Sequence, residues 1–201
     1  MQHINKHESN VRGYSRNFPV TFESAHGAII KDTAGKQYVD FLAGAGALNY
    51  GHNNPFFKIK LIDYIEKNGV THGLDLATEA KEHFIHVFNQ YILAPRKLDY
   101  KIQFTGPTGT NAVEAAIKLA QLYTGRNNII TFTNAYHGHT KGALRLTANQ
   151  HYRQGLEGEL NQNTNFLPYY GYVNGAFDSA DYLDQVLSDK GSGVAIPAAI
   201  I

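Results

Sequence analysis

Two short segments of this sequence combine glycine with hydroxyl, aromatic or imidazole side chains at spacings that suit ligand binding. The first is the turn Gly106-Pro-Thr-Gly-Thr-Asn111, which leads into a helix predicted to begin near Asn111. Such a helix aims its unpaired N–H groups and the positive end of its dipole at the turn. Gly109 lets the backbone approach a ligand, while Thr108 and Thr110 add hydroxyl groups. The turn therefore predicts a cup for a phosphate dianion.

The same turn has a simpler interpretation, in which glycine and threonine only reverse the chain and cap the helix. The motif is not a dinucleotide fingerprint, because G-x-G-x-x-G is absent, and it is not a Walker loop, because no Gly-Lys-Ser/Thr follows. A phosphate held without a metal-binding hydroxyl suits a cofactor monophosphate better than a nucleoside triphosphate.

The second segment is Asn134-Ala-Tyr-His-Gly-His-Thr140, which follows the next predicted strand and should open on the same sheet edge. Tyr136 could stack on a planar ring, His137 could donate a hydrogen bond or pack behind that ring, and Gly138 would allow close approach. His137 and His139 also have a spacing found in metal sites, but no third ligand lies nearby in the sequence. A polar surface loop is the alternative.

Recognisable elements surround these two segments. In the N-terminal part we predict a loose arm over 1–17, a hairpin over 27–41, a glycine-rich loop over 44–52, a helix that starts at Asn54-Pro55, and a helix over 78–91. From about residue 100 we predict strands over 100–105, 128–132, 166–167 and 194–201, with helices over 111–123 and 179–188. The alternation indicates an α/β fold with parallel strands, a small N-terminal lobe over 1–70 and a larger domain over 71–201.

Composition excludes several classes of protein. Lys and Arg total 18 against 17 Asp and Glu, a formal net charge of +1, so neither a nucleic acid nor a membrane surface is an expected partner. Cysteine is absent, which excludes disulfides and thiolate chemistry, and a cytoplasmic protein is the default. The run Val194–Ile201 is apolar and does not end in a turn or a polar residue, and we expect the protein to continue beyond it.

Three stretches carry a family resemblance. The stretches are Phe41–Pro55 with its Gly-His-Asn-Asn-Pro ending, Phe104–Ala120 with the phosphate turn, and Tyr136-His-Gly-His-Thr140. Together they resemble the class III pyridoxal-phosphate aminotransferases of fold type I, over nearly all of this chain and about the first half of the family's length. The residues at 44–52 and 103–111 are most similar to those of the diaminobutyrate–2-oxoglutarate group of that family. The resemblance implies transamination between amino acids and 2-oxo acids, with pyridoxal 5'-phosphate as cofactor and a homodimer as the working form.

The resemblance also implies roles for individual residues. Gly109 and Thr110 would hold the cofactor phosphate, with Thr108 close by. Tyr136 would stack on the pyridine ring, with His137 as a further cofactor contact. The residues on the substrate side would be Asn49, Tyr50 and His139. The family often has arginine at the position of His139, and a neutral imidazole is a poor substitute for a bidentate guanidinium.

The lysine that the family uses for its Schiff base is expected beyond Ile201, so no catalytic residue is assigned in this chain. Lys118, Lys141 and Lys190 follow the phosphate turn, but their neighbours do not match the family's lysine motif. We therefore expect this chain alone to be inactive. Two alternatives stay open: another class III enzyme acting on ornithine, 4-aminobutyrate or lysine, and a non-catalytic module that binds phosphate ligands or dimerises.

Overall fold

The computed structural model describes residues 1–10, 14–175 and 177–201. The chain divides between Phe88 and Asn89 into an N-terminal and a C-terminal unit, each with its own internal contacts. The assignment of 1–70 to a small lobe and 71–201 to a large domain stays a prediction. Among the described residues, none of the helices has the length and apolar content that crossing a bilayer requires.

The N-terminal unit is built on a three-stranded antiparallel sheet. Its elements are α1 (Gln2–His7), β1 (Phe22–His26), β2 (Ile29–Asp32), β3 (Gln37–Val39), α2 (Pro55–Glu66) and α3 (Glu79–Phe88). The strand order is β1-β2-β3, and the hairpin predicted over 27–41 is confirmed as β2 and β3. Within the arm predicted over 1–17, residues 11–13 lie outside the described part of the chain, while α1 and a 3₁₀ turn at Tyr14–Asn17 are regular.

The carboxylate of Asp32 organises the hairpin turn. One of its oxygens accepts hydrogen bonds from the amides of Ala34 and Lys36, and the other accepts the hydroxyl of Tyr38 at 2.8 Å. The Tyr38 hydroxyl is the largest cause of a lowered pKa of Asp32, and the two amides add to it. The buried carboxylate of Asp32 therefore holds the turn in place through hydrogen bonds.

The C-terminal unit has a parallel sheet flanked by helices, which confirms the α/β class. Its regular elements are α4 (Gly109–Thr124), β4 (Ile129–Phe132), α5 (Lys141–Leu144), α6 (Gln150–Arg153), α7 (Glu157–Leu160), β5 (Thr164–Leu167), α8 (Ser179–Ser188) and β6 (Ala199–Ile200). Strand β4 lies between β5 and β6 and is parallel to both. Ile117, Ile129 and Leu146 form the core that joins α4 to the sheet.

Three predictions in this unit need correction. The strand predicted over 100–105 does not form, because no segment of the described chain pairs with these residues to complete a ladder. Helix α4 begins at Gly109 rather than near Asn111, because Thr108 caps it two residues earlier than the sequence suggested. The strand expected over 194–201 is limited to Ala199–Ile200.

Candidate functional site

The first turn of α4 is fixed by its own threonine cap. The backbone of Thr108 is extended, and its Oγ1 accepts a hydrogen bond from the amide of Asn111 at 3.2 Å. The hydroxyl is thus an acceptor in the cap, which is the usual role of threonine before a helix. The Asn111 side chain covers Gly106 so closely that a Cβ there would lie 1.9 Å from its Nδ2. The turn is therefore held on both sides.

Gly109 stands at the open end of this helix. A Cβ built on it would meet no atom within 4 Å. The N–H groups of the first helical residues, here Gly109 and Thr110, have no carbonyl one turn earlier to bind. An anion can therefore reach these amides at the positive end of a helix of 16 residues.

The aromatic loop after β4 lies directly on this turn. A Cβ on Gly138 would stand 2.2 Å from the Oγ1 of Thr110, and the φ of Gly138 is +130°, so both space and backbone require glycine here. The structure thus brings together Thr110 and the loop 134–140, two segments more than 20 residues apart in the sequence.

The loop is fixed again one helical turn further along α4. The Oε1 of Glu114 accepts the amide of Ala143 at 2.9 Å and the hydroxyl of Thr140. Gly142 lies so close to this carboxylate that a Cβ there would stand 2.2 Å from its Oε2. Glu114 thus anchors the start of α5, and the sequence analysis missed it because its role depends on a residue 29 positions away.

His137 is held at the back of the loop. Its amide donates to Thr147 Oγ1 at 3.0 Å, and its Nε2 lies 3.3 Å from the Oγ1 of the buried Thr131. The Thr147 hydroxyl in turn donates to the carbonyl of Gly138 at 3.1 Å. Burial lowers the pKa of His137, so its imidazole is neutral at pH 7. The sequence did not single out either threonine.

Tyr136 belongs to a cluster of three rings. Its ring lies 5.5 Å from that of His139 and 5.6 Å from that of Tyr152, both edge to face. His139 and Tyr152 are 4.8 Å apart, which closes the triangle. Tyr136 still exposes 57% of its surface, enough for a planar ligand to contact. Tyr152 was not predicted, since it stands alone in the sequence without a motif.

The predicted substrate-side residues Asn49 and Tyr50 lie in the N-terminal unit. Both are exposed, and the Tyr50 ring packs edge to face on Phe57 at 5.2 Å. The loop that carries them is closed by Asp40 and His52, whose Oδ2 and Nε2 lie 2.7 Å apart. The amide of Ala43 and then this imidazole are the main causes of a lowered pKa of Asp40.

The three lysines after the phosphate turn lie on exposed surfaces. Lys141 forms an ion pair with Glu159, whose pKa is lowered by this hydrogen bond. Lys118 lies on α4, and Lys190 follows α8. In the described part of the chain, no three histidine or acidic side chains come together as a metal site.

Comparison with protein families gives one match over most of the chain. The family model described as "Aminotransferase class-III" matches residues 11–190. A diaminobutyrate–2-oxoglutarate transaminase of Halomonas elongata is 50% identical over 200 residues, which are 100% of this chain and 48% of that protein. One of Vibrio parahaemolyticus is 52% identical over 100% of this chain and 47% of its own length. The chain therefore spans about half the length of these relatives.

Solved structures agree at the level of the fold. A taurine:2-oxoglutarate aminotransferase of Bifidobacterium kashiwanohense, in complex with PLP and glutamate, superposes with a TM-score of 0.72 at 24% identity, over 90% of this chain and 42% of that one. An S-selective transaminase of an Arthrobacter species has a TM-score of 0.75 at 22% identity, over 92% and 44%. The similarity confirms the fold type I architecture, of which this chain covers less than half.

Proposed function

The chain belongs to the class-III aminotransferase family, and we propose that it binds pyridoxal 5'-phosphate at the junction of α4 and the aromatic loop. The phosphate would accept hydrogen bonds from the amides of Gly109 and Thr110. The pyridine ring would lie against Tyr136. One observation carries this proposal: Gly138 contacts Thr110, so the anion cup and the aromatic loop are adjacent.

The residues present fit such a cofactor. Gly109 faces open space, Tyr136 exposes more than half of its surface, and the neutral His137 adds no charge beside the pyridine. The rings of Tyr152 and His139 both pack edge to face with the Tyr136 ring. Because this packing already restricts the Tyr136 ring, less side-chain entropy would be lost when a cofactor binds, which favours affinity.

When bound, pyridoxal phosphate supplies an electron sink for reactions at an amino acid's α-carbon or ω-carbon. This chain's share is to hold the phosphate, orient the ring and exclude water from one of its faces. We assign no residue of this chain to the amine or to proton transfer, and we propose that residues 1–201 alone do not turn over.

For the whole protein we propose transfer of an amino group between L-2,4-diaminobutyrate and 2-oxoglutarate, giving L-aspartate 4-semialdehyde and L-glutamate. The named relatives from Halomonas and Vibrio at 50–52% identity support this choice. We further propose that Asn49, Tyr50 and His139 face the substrate, that the protein works as a cytoplasmic homodimer, and that it serves ectoine or siderophore precursor synthesis.

The cofactor site is tested with Gly109→Ala. The new methyl group meets no protein atom, and alanine is the better helix former, so the thermal stability should be unchanged or slightly higher. The methyl group would crowd a phosphate, and we expect pyridoxal phosphate to bind at least tenfold more weakly by fluorescence titration of the protein as expressed from its gene. Thr124→Ala, at the other end of α4, is the control for cofactor affinity. Equal affinity in Gly109→Ala and wild type would contradict the phosphate site.

The substrate is tested separately by amino-donor competition. With 2-oxoglutarate as acceptor, diaminobutyrate should give the highest kcat/KM among diaminobutyrate, ornithine, 4-aminobutyrate and lysine. Preference for another amine with normal cofactor binding would overturn the substrate and leave the cofactor site standing.

A further inference from the structure

Helix α6 carries the ring of Tyr152 but is too short to hold its own position. It spans only Gln150–Arg153, a single turn, and a helix this short is not stable by itself. Its start is capped by the side chain of Asn149, which accepts the amide of His151 at 2.9 Å. Contacts outside the helix must therefore keep Tyr152 against the ring of Tyr136, at 5.6 Å.

Arg153, the last residue of α6, makes such contacts with the end of α5. Its side chain is buried, and its Nη1 donates to the carbonyls of Leu144, Arg145 and Thr147 at 3.2, 2.9 and 3.0 Å. The last carbonyls of a helix have no partner within that helix, and an arginine side chain can supply the missing donors. The guanidinium thus joins the end of α6 to the end of α5.

The rest of the guanidinium is held as well. Its Nη2 donates to the Oδ1 of Asn161, and its Cζ lies 5.2 Å from the centre of the Phe166 ring on β5. A buried guanidinium is costly unless its donors are bound, so this set of partners gives Arg153 one well-defined position. Tyr152, the residue before it in the chain, is fixed with it.

The stretch that Arg153 binds also holds the aromatic loop. The hydroxyl of Thr147 accepts the amide of His137 and donates to the carbonyl of Gly138. Helix α5 begins directly after the loop, so the loop and α6 are attached to the same short segment, 140–147. This shared attachment sets the ring carried by α6 against the ring of Tyr136.

We propose that Arg153 is a positioning residue, which holds the ring of Tyr152 against Tyr136 and thereby shapes the pyridoxal phosphate site. The inference rests on the proposed cofactor site, and its effect runs through Tyr152 rather than through a contact between Arg153 and the cofactor. Without Arg153, the single turn of α6 loses its attachment, and Tyr152 no longer restrains the ring on which the pyridine would lie. The loss of one such aromatic pair corresponds to a change in affinity of about two- to tenfold.

The test is a double-mutant cycle on the protein as expressed from its gene. Pyridoxal phosphate affinity is measured by fluorescence titration, at a temperature at which circular dichroism shows each variant to be folded. Arg153→Met should weaken binding about two- to tenfold in the wild-type background. In the Tyr152→Ala background, where the ring is already absent, the same change should have no further effect. Equal weakening in both backgrounds would show a general structural role and overturn the proposal.

Two further variants separate positioning from stability. Arg153→Lys keeps the charge but loses the planar fork, so it should recover part of the affinity, and it takes the place of Arg153→Met in the cycle if that variant does not fold. Asn128→Ala removes another buried hydrogen bond, from Nδ2 to the carbonyl of Ala195, at the opposite end of β4 from the loop. It should melt lower and bind like wild type. A loss of affinity as large as that of Arg153→Met would show that affinity follows stability, which contradicts the proposal.

A second readout needs no cofactor. In protein labelled with fluorotyrosine, the fluorine NMR resonance of Tyr136 is assigned by its loss in Tyr136→Phe. Arg153→Met and Tyr152→Ala should both shift this resonance, and Asn128→Ala should not. An unshifted resonance in Arg153→Met would overturn the proposal. Shifts in both variants with unchanged affinity would instead contradict the proposed contact between Tyr136 and the cofactor, and leave the placement of Tyr152 by Arg153 standing.

Discussion

Replacing Glu114 by alanine should loosen the aromatic loop from α4. The change removes the acceptor for two hydrogen bonds, one from the exposed Thr140 hydroxyl and one from the amide of Ala143, a residue with no exposed surface. Water can replace the first bond, but the Ala143 amide is left without a partner. An unpaired buried donor costs about 1–3 kcal/mol, which lowers the melting temperature of a domain of this size by about 2–12 °C.

Glu114→Gln keeps an oxygen at the same place and should cost about 1 kcal/mol or less, because only the charge of the acceptor is lost. Glu82→Ala, on the exposed surface of α3, should stay within about 0.5 kcal/mol of wild type. The assay is urea unfolding, followed by a pyridoxal phosphate titration in which Glu114→Ala should bind about tenfold more weakly and Glu114→Gln should recover most of the affinity. If Glu114→Ala unfolds like Glu82→Ala, the anchoring role is refuted.

Three further changes have defined outcomes. Thr108→Ala should lower the free energy of unfolding by about 1 kcal/mol, and Thr108→Ser should not, because the cap needs only a hydroxyl oxygen. Tyr152→Ala should weaken pyridoxal phosphate binding and Tyr152→Phe should preserve it, since the ring edges and not the hydroxyl support Tyr136. The pKa of Asp40 is lowered in the fold, so its carboxylate stabilises the protein fully above about pH 4, and this stabilisation is lost as the pH falls through the lowered pKa. Asp40→Asn should therefore be less stable than wild type at neutral pH. When stability is measured against pH, the curves of the two proteins should converge below about pH 4.

Local signals placed most of the elements correctly. The Asn54-Pro55 pair marks the start of α2 because the Asn54 side chain accepts the amide of Phe56, a bond that depends only on neighbours. The prediction over 179–188 matches α8 for the same reason, with Asp178 as its cap. The strand over 100–105 was predicted wrongly, since a strand depends on a partner that its own residues do not specify.

The sequence predicted those parts of the candidate site in which glycines stand next to hydroxyl, aromatic or imidazole residues. It did not predict the parts that depend on contacts between residues far apart in the sequence. The motifs identified Gly109, Tyr136 and His137, and the structure brings their segments together. Tyr152 was missed because it stands alone in the sequence, and only the fold brings its ring from α6 against the ring of Tyr136.

The spacing of the two glycine contacts explains how the aromatic loop finds its register on α4. Thr110 and Glu114 are four residues apart and therefore lie on one face of the helix. Gly138 and Gly142 are also four apart, and each covers one of those side chains at a distance that any Cβ would violate. A shift of the loop by one residue would bring His137 and Lys141, or His139 and Ala143, to these two points, where the Cβ of each would clash with Thr110 or Glu114. Two steric contacts one helical turn apart thus fix the exposed ring of Tyr136 relative to the amides of Gly109 and Thr110, before any ligand is bound.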